Sequence, residues 1–181
     1  MSAPQVIDYE IVDHPEPVAW SDEARRDAEA IIARYPDKMS ATLPVLWLAV
    51  KEFGWISPQV EEIVGAILDR PVNQIHEVVT FYTMYPRKPM GKHQIQICRN
   101  ISCWIHGETN LVNHIKDRLG IDVGQVTTDG RFSLEEVECL AFCECAPCLR
   151  MDNRYEGNLT KEKIDQLIDN ADGCRNSLPK T

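Results

Sequence analysis

The chain has little positive charge: 19 Lys and Arg stand against 28 Asp and Glu, a formal net charge of −9. The basic residues form no stripe, which excludes the electrostatic footprint of a nucleic-acid binder and argues against a phosphate-binding role. Long hydrophobic runs are also missing. The strongest, Leu43 to Val50, falls well short of the roughly 20 residues that span a bilayer, so any membrane association would run through a partner protein. The start, Met1 to Pro17, is acidic, contains proline and is poor in arginine. It has neither the basic n-region nor the apolar h-region of a secretory signal, nor the character of a transit peptide. There is no internal repeat and no G-x-G-x-x-G fingerprint for a nicotinamide cofactor.

What is there is an ordinary globular composition, 44% hydrophobic and 26% charged over 181 residues, enough for one domain or two small ones. Seven cysteines, an odd number without an export signal, point to a reducing compartment and to metal rather than disulfides.

Residues 1–20 read as a loosely ordered arm, with Pro15 and Pro17 opposing helix. Ser21 is a good N-cap, followed by Asp22 and Glu23 where the helix dipole favours anions. Ala24, Ala28, Ile31 and Ile32 then recur at helical spacing. A second helix starts near Thr42-Leu43-Pro44 and closes at Gly54, with Leu43, Leu46, Trp47 and Val50 on its expected buried stripe. Ser57-Pro58 opens a third helix that runs to Asp69, and a fourth covers Gln74 to Tyr82. The spacing thus predicts a small helical bundle over 21–85. Its charges, Glu61, Glu62, His76 and Glu77, are expected on solvated faces.

Residues 86–91 read as a linker. His93 to Cys98 alternates polar and apolar, the signature of a half-buried strand. Gly107 to Leu119 is expected to be helical. Val126 to Thr128, the turn Asp129-Gly130 and Phe132 to Cys139 suggest a hairpin. A second hairpin turns at Asp152-Asn153, and Thr160 caps a last helix through Ile168. The order β-α-β-β-β-α over 92–172 suggests a thin α/β domain, followed by a tail over 173–181.

Six of the seven cysteines lie between Cys98 and Cys148, as Cys98-Arg-Asn-Ile-Ser-Cys103, Cys139-Leu-Ala-Phe-Cys143 and Cys145-Ala-Pro-Cys148. Soft thiolates gathered this way suit a soft metal or an iron–sulfur cluster. Cys98 ends a strand, and Cys103 is expected in the loop beyond it. With Cys139 and Cys143 they make a four-thiolate site. A [2Fe–2S] cluster, a structural zinc with four cysteine ligands and a scatter of buried cysteines all remain open readings. The spacing matches neither the plant-type nor the bacterial ferredoxin run, and no histidine stands in for a Rieske ligand. Cys145 and Cys148 could form a dithiol redox motif or supply alternative ligands, but no helix follows to activate them, and inert or incidentally oxidised thiols are the main expectation. Cys174 lies in the tail.

Val78-Val-Thr-Phe-Tyr-Thr-Met-Tyr85, Gly91 to Cys98, Ser102-Cys103-Trp104, Thr128 to Phe132, Val137 to Leu140, Ala146-Pro147 and Asn158-Leu-Thr160 together resemble one family. This is the thioredoxin-like [2Fe–2S] subunit of the NADH-dehydrogenase module of respiratory complex I, and the likeness covers roughly 21–170. The resemblance implies an α+β fold, a small N-terminal helical bundle followed by a thioredoxin-like [2Fe–2S] ferredoxin domain. It implies that Cys98, Cys103, Cys139 and Cys143 ligate one [2Fe–2S] cluster. It further implies a partner flavoprotein that carries FMN and the NADH site, whose flavin exchanges single electrons with the cluster while hydride chemistry stays in the partner. The chain would then be cytoplasmic, peripheral to the inner face of the membrane. The equivalent subunit of a soluble NAD(P)-linked hydrogenase or formate dehydrogenase is the alternative within this architecture, and a zinc-stabilised interaction module the alternative outside it. Two features depart from the family pattern. Phe142 stands where a small residue is usual, and Cys145 and Cys148 lie outside the family's ligand set. Phe81, Tyr82, Ile95 and Ile97 are expected to serve packing.

Overall fold

The computed structural model describes residues 12–172. The expected tail, with Cys174, and most of the N-terminal arm lie outside the described residues. The chain divides after Pro89 into two compact units. Among the described residues no helix is long and apolar enough to cross a membrane.

The first unit holds four helices: α1 (Asp22–Ile32), α2 (Thr42–Phe53), α3 (Pro58–Leu68) and α4 (Val72–Phe81), with a short 3-10 turn, Lys38–Ala41, before α2. The Ser21 hydroxyl accepts the Ala24 N–H at 3.2 Å and the Ser57 hydroxyl accepts that of Val60 at 3.3 Å, so two of the starts are closed by their own side chains. Helix α2 ends on Gly54 at φ +87, a conformation that favours glycine. Residues 12–20 are not helical; here the Trp55 indole N–H donates to the Val12 carbonyl at 2.9 Å, and His14 stacks on the Trp55 ring at 3.7 Å.

Three expectations for this unit need correction. The buried stripe of α2 is Thr42, Val45, Leu46 and Ala49, while Leu43 and Trp47 face outward. The helix is apolar nearly all round, so composition alone does not fix which stripe turns inward. Phe81 is 77% exposed and does not serve the core. Glu61 is buried, not solvated: both its carboxylate oxygens lie 3.0–3.1 Å from His76 Nδ1.

The second unit is a four-stranded sheet of order β2-β1-β3-β4, made of β1 (His93–Cys98), β2 (Phe132–Val137), β3 (Leu149–Met151) and β4 (Arg154–Glu156). Strand β1 pairs parallel with β2, placing Cys98 opposite Val137. It pairs antiparallel with β3, placing Ile97 opposite Leu149. Helices α5 (Ile101–Ile105) and α6 (Glu108–Leu119) lie between β1 and β2, and α7 (Lys161–Asp169) follows β4. The core joins Ile95, Ile97 and Leu134 of the sheet to Ile115 of α6 and Ile164 of α7. His93 begins β1 fully buried, with Nδ1 2.9 Å from Asp152 and Nε2 3.3 Å from Asp172. One buried imidazole therefore joins the β3–β4 turn to the residues after α7.

The expected first hairpin is reduced to a single antiparallel bridge, Val126 with Ser133. Backbone bonds still cross this turn, from the Thr127 N–H to the Phe132 carbonyl at 2.8 Å and from the Leu134 N–H to the Gln125 carbonyl at 3.2 Å. Side chains reinforce it: the Thr127 hydroxyl oxygen accepts the Phe132 N–H at 3.0 Å, and Asp129 accepts the Arg131 N–H at 2.9 Å. Along its other edge, strand β2 pairs with β1.

Candidate metal centre

Three strand ends meet at one end of the sheet. Because β1 and β2 are parallel, Cys98 and the segment leading to Cys139 leave on the same side. Because β3 is antiparallel to β1, Cys148 enters there immediately before Leu149. The Arg99 N–H continues the pairing to the Val137 carbonyl at 3.0 Å, and the Arg99 guanidinium donates to Glu138 at 2.9 and 3.1 Å. The segments carrying the two cysteine pairs are thus tied together one residue past each strand.

Cys103 does not sit in an open loop as expected. It lies in α5, a short helix that starts when the Asn100 side chain accepts the Ile101 N–H at 2.9 Å. That turn brings Cys103 back beside Cys98. The sulfurs of Cys98, Cys103 and Cys148 all lie within 4.8 Å of one another, and all three residues are buried. The Cys103 and Cys148 sulfurs are 3.7 Å apart. The Cys139 and Cys143 sulfurs form a second pair at 3.7 Å, on exposed residues. Two sulfurs sharing one tetrahedral metal at about 2.3 Å stand about 3.8 Å apart. Both close pairs therefore have the spacing of ligands on one metal atom.

The electrostatics point the same way. Burial first, with Cys98 nearby, pushes the Cys103 thiol up. The adjoining Cys139 sulfur pushes Cys143 up, and Cys98 adds to it. Cys148 is raised by burial and then by Cys103. Buried, crowded thiols are a poor arrangement by themselves and a suitable one around a cation. One backbone donor is already aimed at a sulfur: the Ala141 N–H reaches Cys139 Sγ at 3.3 Å. The donor set of Cys98, Cys103 and Cys148, sulfur only and brought together from separate segments, fits an iron–sulfur cluster.

Behind the loop, Gly157 leaves no room for a side chain. A Cβ there would stand 2.3 Å from the Cys145 Cβ and 2.7 Å from its carbonyl oxygen. Phe142, where the sequence departs from the family pattern, packs against the buried cysteines and meets Tyr155 edge-on at 6.1 Å. In front, α5 exposes Ile101 (68%), Trp104 (62%) and Ile105 (65%) around the buried Cys103. A cavity of about 280 Å³ between the β3–β4 hairpin and α7 is lined by no cysteine.

The structure places Cys98 and Cys103 within 4.8 Å of one another, in a group whose third member is Cys148 and which does not include Cys139 or Cys143; those two lie 3.7 Å from each other. Spacing alone does not place Cys148. The signal available is that Cys98 ends one strand and Cys148 precedes another, which meet if the two strands run antiparallel.

Residues 28–172 match the model of the thioredoxin-like [2Fe–2S] ferredoxin family. The chain is 41% identical over 145 residues to a subunit of the NADH-quinone oxidoreductase of Rhizobium meliloti, covering 80% of this chain and 86% of that one. It is 42% identical over 145 residues to the corresponding NADH-quinone oxidoreductase component of Rickettsia bellii, covering 78% and 87%. Among solved structures, a chain of an NAD+-reducing [NiFe]-hydrogenase in the H2-reduced state superposes with a TM-score of 0.61 at 22% identity. That match spans 74% of this chain and 22% of that one and bears on the fold alone. The chain belongs to the thioredoxin-like [2Fe–2S] ferredoxin family.

Proposed function

We propose that this chain is the electron-transfer subunit of an NADH:quinone oxidoreductase, peripheral to the cytoplasmic face of the membrane through its partner subunits. It would hold one [2Fe–2S] cluster through Cys98, Cys103, Cys139 and Cys143 and pass single electrons to and from the FMN of a flavoprotein partner. The observation that carries the reading is that Cys98 and Cys103 lie within 4.8 Å of one another and Cys139 and Cys143 3.7 Å apart, on segments that leave the same end of the sheet, in a chain about 40% identical to NADH-quinone oxidoreductase subunits.

When bound, the cluster supplies a one-electron couple. The chain's own residues hold it and set its surroundings. Cys98 and Cys103 are buried, Cys139 and Cys143 exposed, so the second pair is the side nearer solvent and any partner. The Ala141 N–H at the Cys139 sulfur favours the more negative, reduced state. Ile101, Trp104 and Ile105 offer an apolar surface around Cys103 of the kind that partner subunits cover. Hydride transfer belongs to the partner.

The equivalent subunit of an NAD-linked hydrogenase is supported by likeness of fold only. The experiment that separates the two is purification of the complex through a tag on this chain. A flavoprotein with quinone-reductase subunits is the expected company, and a hydrogenase large subunit would overturn the reading. Within the chain, Cys139→Ala is expected to bleach the visible absorption.

A further inference from the structure

With four ligands assigned, one buried thiol at the centre has no role. Cys148 is 1% exposed and its sulfur stands 3.7 Å from that of Cys103. It does not sit on a loose loop. The Cys98 N–H donates to the Cys148 carbonyl at 3.1 Å, and the next residue, Leu149, is in register opposite Ile97. Its backbone is therefore held in place by the sheet itself. Cys98, Cys103 and Cys148 form a triangle with no side above 4.8 Å, so Cys148 stands beside Cys98 much as Cys103 does.

We infer that Cys148 is an alternate cluster ligand, able to take the place of Cys103 beside Cys98. The inference rests on the ligand set proposed above. Two sulfurs on one tetrahedral metal lie about 3.8 Å apart, and the Cys103 and Cys148 sulfurs each stand within 4.8 Å of that of Cys98, so either is placed to complete a ligand pair with it. The exchange makes one iron–sulfur bond and breaks one. A proton passes from the Cys148 thiol to the released Cys103 sulfur, and the iron oxidation states and total charge are unchanged, so no oxidant or reductant is needed. The buried pair then has a reserve thiol, whereas Cys139 and Cys143 have none among the described residues that is held in this way.

The test is iron and sulfide content, visible absorption and the electron paramagnetic resonance of the dithionite-reduced full-length chain, assembled anaerobically with iron and sulfide. The variants are Cys148→Ala, Cys103→Ala and the double replacement, with folding followed by far-ultraviolet circular dichroism. Expected are a retained cluster in Cys148→Ala, a retained cluster with a shifted resonance in Cys103→Ala, and loss in the double variant. A folded Cys103→Ala chain as empty as the double variant overturns the inference and leaves the ligand set intact. Loss of the cluster from Cys148→Ala alone overturns the ligand set as well. If Cys103→Ala does not fold, Cys103→Ser replaces it. Its spectrum is expected to match the all-thiolate cluster and to change when Cys148→Ala is added; identical spectra with and without Cys148 refute the exchange.

Discussion

Gly157 and Cys145 touch backbone to backbone: the Asn158 N–H donates to the Cys145 carbonyl at 2.6 Å, and a Cβ built on Gly157 would overlap the Cys145 Cβ at 2.3 Å. The segment after β4 is thus the wall against which the loop from Cys139 to Cys148 is shaped. Gly157→Ala is therefore expected to destabilise the fold by about 1–3 kcal/mol, the range for overpacking a tight site. It should also reduce the iron retained per chain. Urea unfolding of the variant with parallel iron analysis checks this; unchanged stability and full iron would show that the loop does not lean on Gly157.

Trp104 is the largest exposed side chain on α5, which carries Cys103. Trp104→Asp is expected to weaken association with the partner subunits by about 2 kcal/mol, roughly thirtyfold, the scale of a central interface aromatic. The visible spectrum of the isolated chain should stay as it was. Titrating the variant against the purified remainder of the complex reads this directly, and unchanged affinity would place the docking surface elsewhere.

Glu61 gives the first unit a pH dependence whose sign is fixed. Burial raises its carboxyl above the usual value near 4.5, and the hydrogen bond from His76 opposes that only in part. The folded state then binds this proton more tightly than the unfolded chain. The carboxyl's contribution to stability is complete below the unfolded value and declines as pH rises through the folded one. Glu61→Gln should flatten that decline while keeping an acceptor for His76. Chemical unfolding of both proteins from pH 4 to 8 measures it, and parallel slopes would contradict the assignment.

Core residues of the second unit carry the usual cost of truncation. Ile97 is fully buried between β2 and β3, one residue before Cys98. Ile97→Ala is expected to lose about 2–5 kcal/mol and to loosen the strand end that holds Cys98. Thermal melts together with cluster lifetime in air test both effects, and a variant as stable as wild type would mean that the strand end is held by something else.

Much of this architecture is legible in the sequence because it is written in local signals. Ser21, Ser57 and Thr160 accept amide hydrogens at helix starts, Gly54 ends α2, and the alternation from His93 to Cys98 is β1 as it stands. What is not legible depends on residues distant in the chain. Helix α5 is one turn long with Ile101, Trp104 and Ile105 all outward, so it has no amphipathic pattern to read. The Asp129-Gly130 turn suggests a hairpin, yet β2 finds its ladder on β1, nearly forty residues earlier in the chain. The burial of Glu61 and the exposure of Phe81 likewise follow from how α2, α3 and α4 settle together. At the metal centre the pairs Cys98/Cys103 and Cys139/Cys143 can be read from spacing. The position of Cys148 cannot, because it follows from the antiparallel register of β3 on β1.

The most direct test of the whole account is electron paramagnetic resonance of the dithionite-reduced protein, purified from cells with intact cluster assembly, with iron, sulfide and zinc counted on the same sample. The account predicts a single spin-one-half signal with iron and sulfide in equal amounts, matching one [2Fe–2S] cluster per chain. A colourless, silent protein carrying stoichiometric zinc would contradict it.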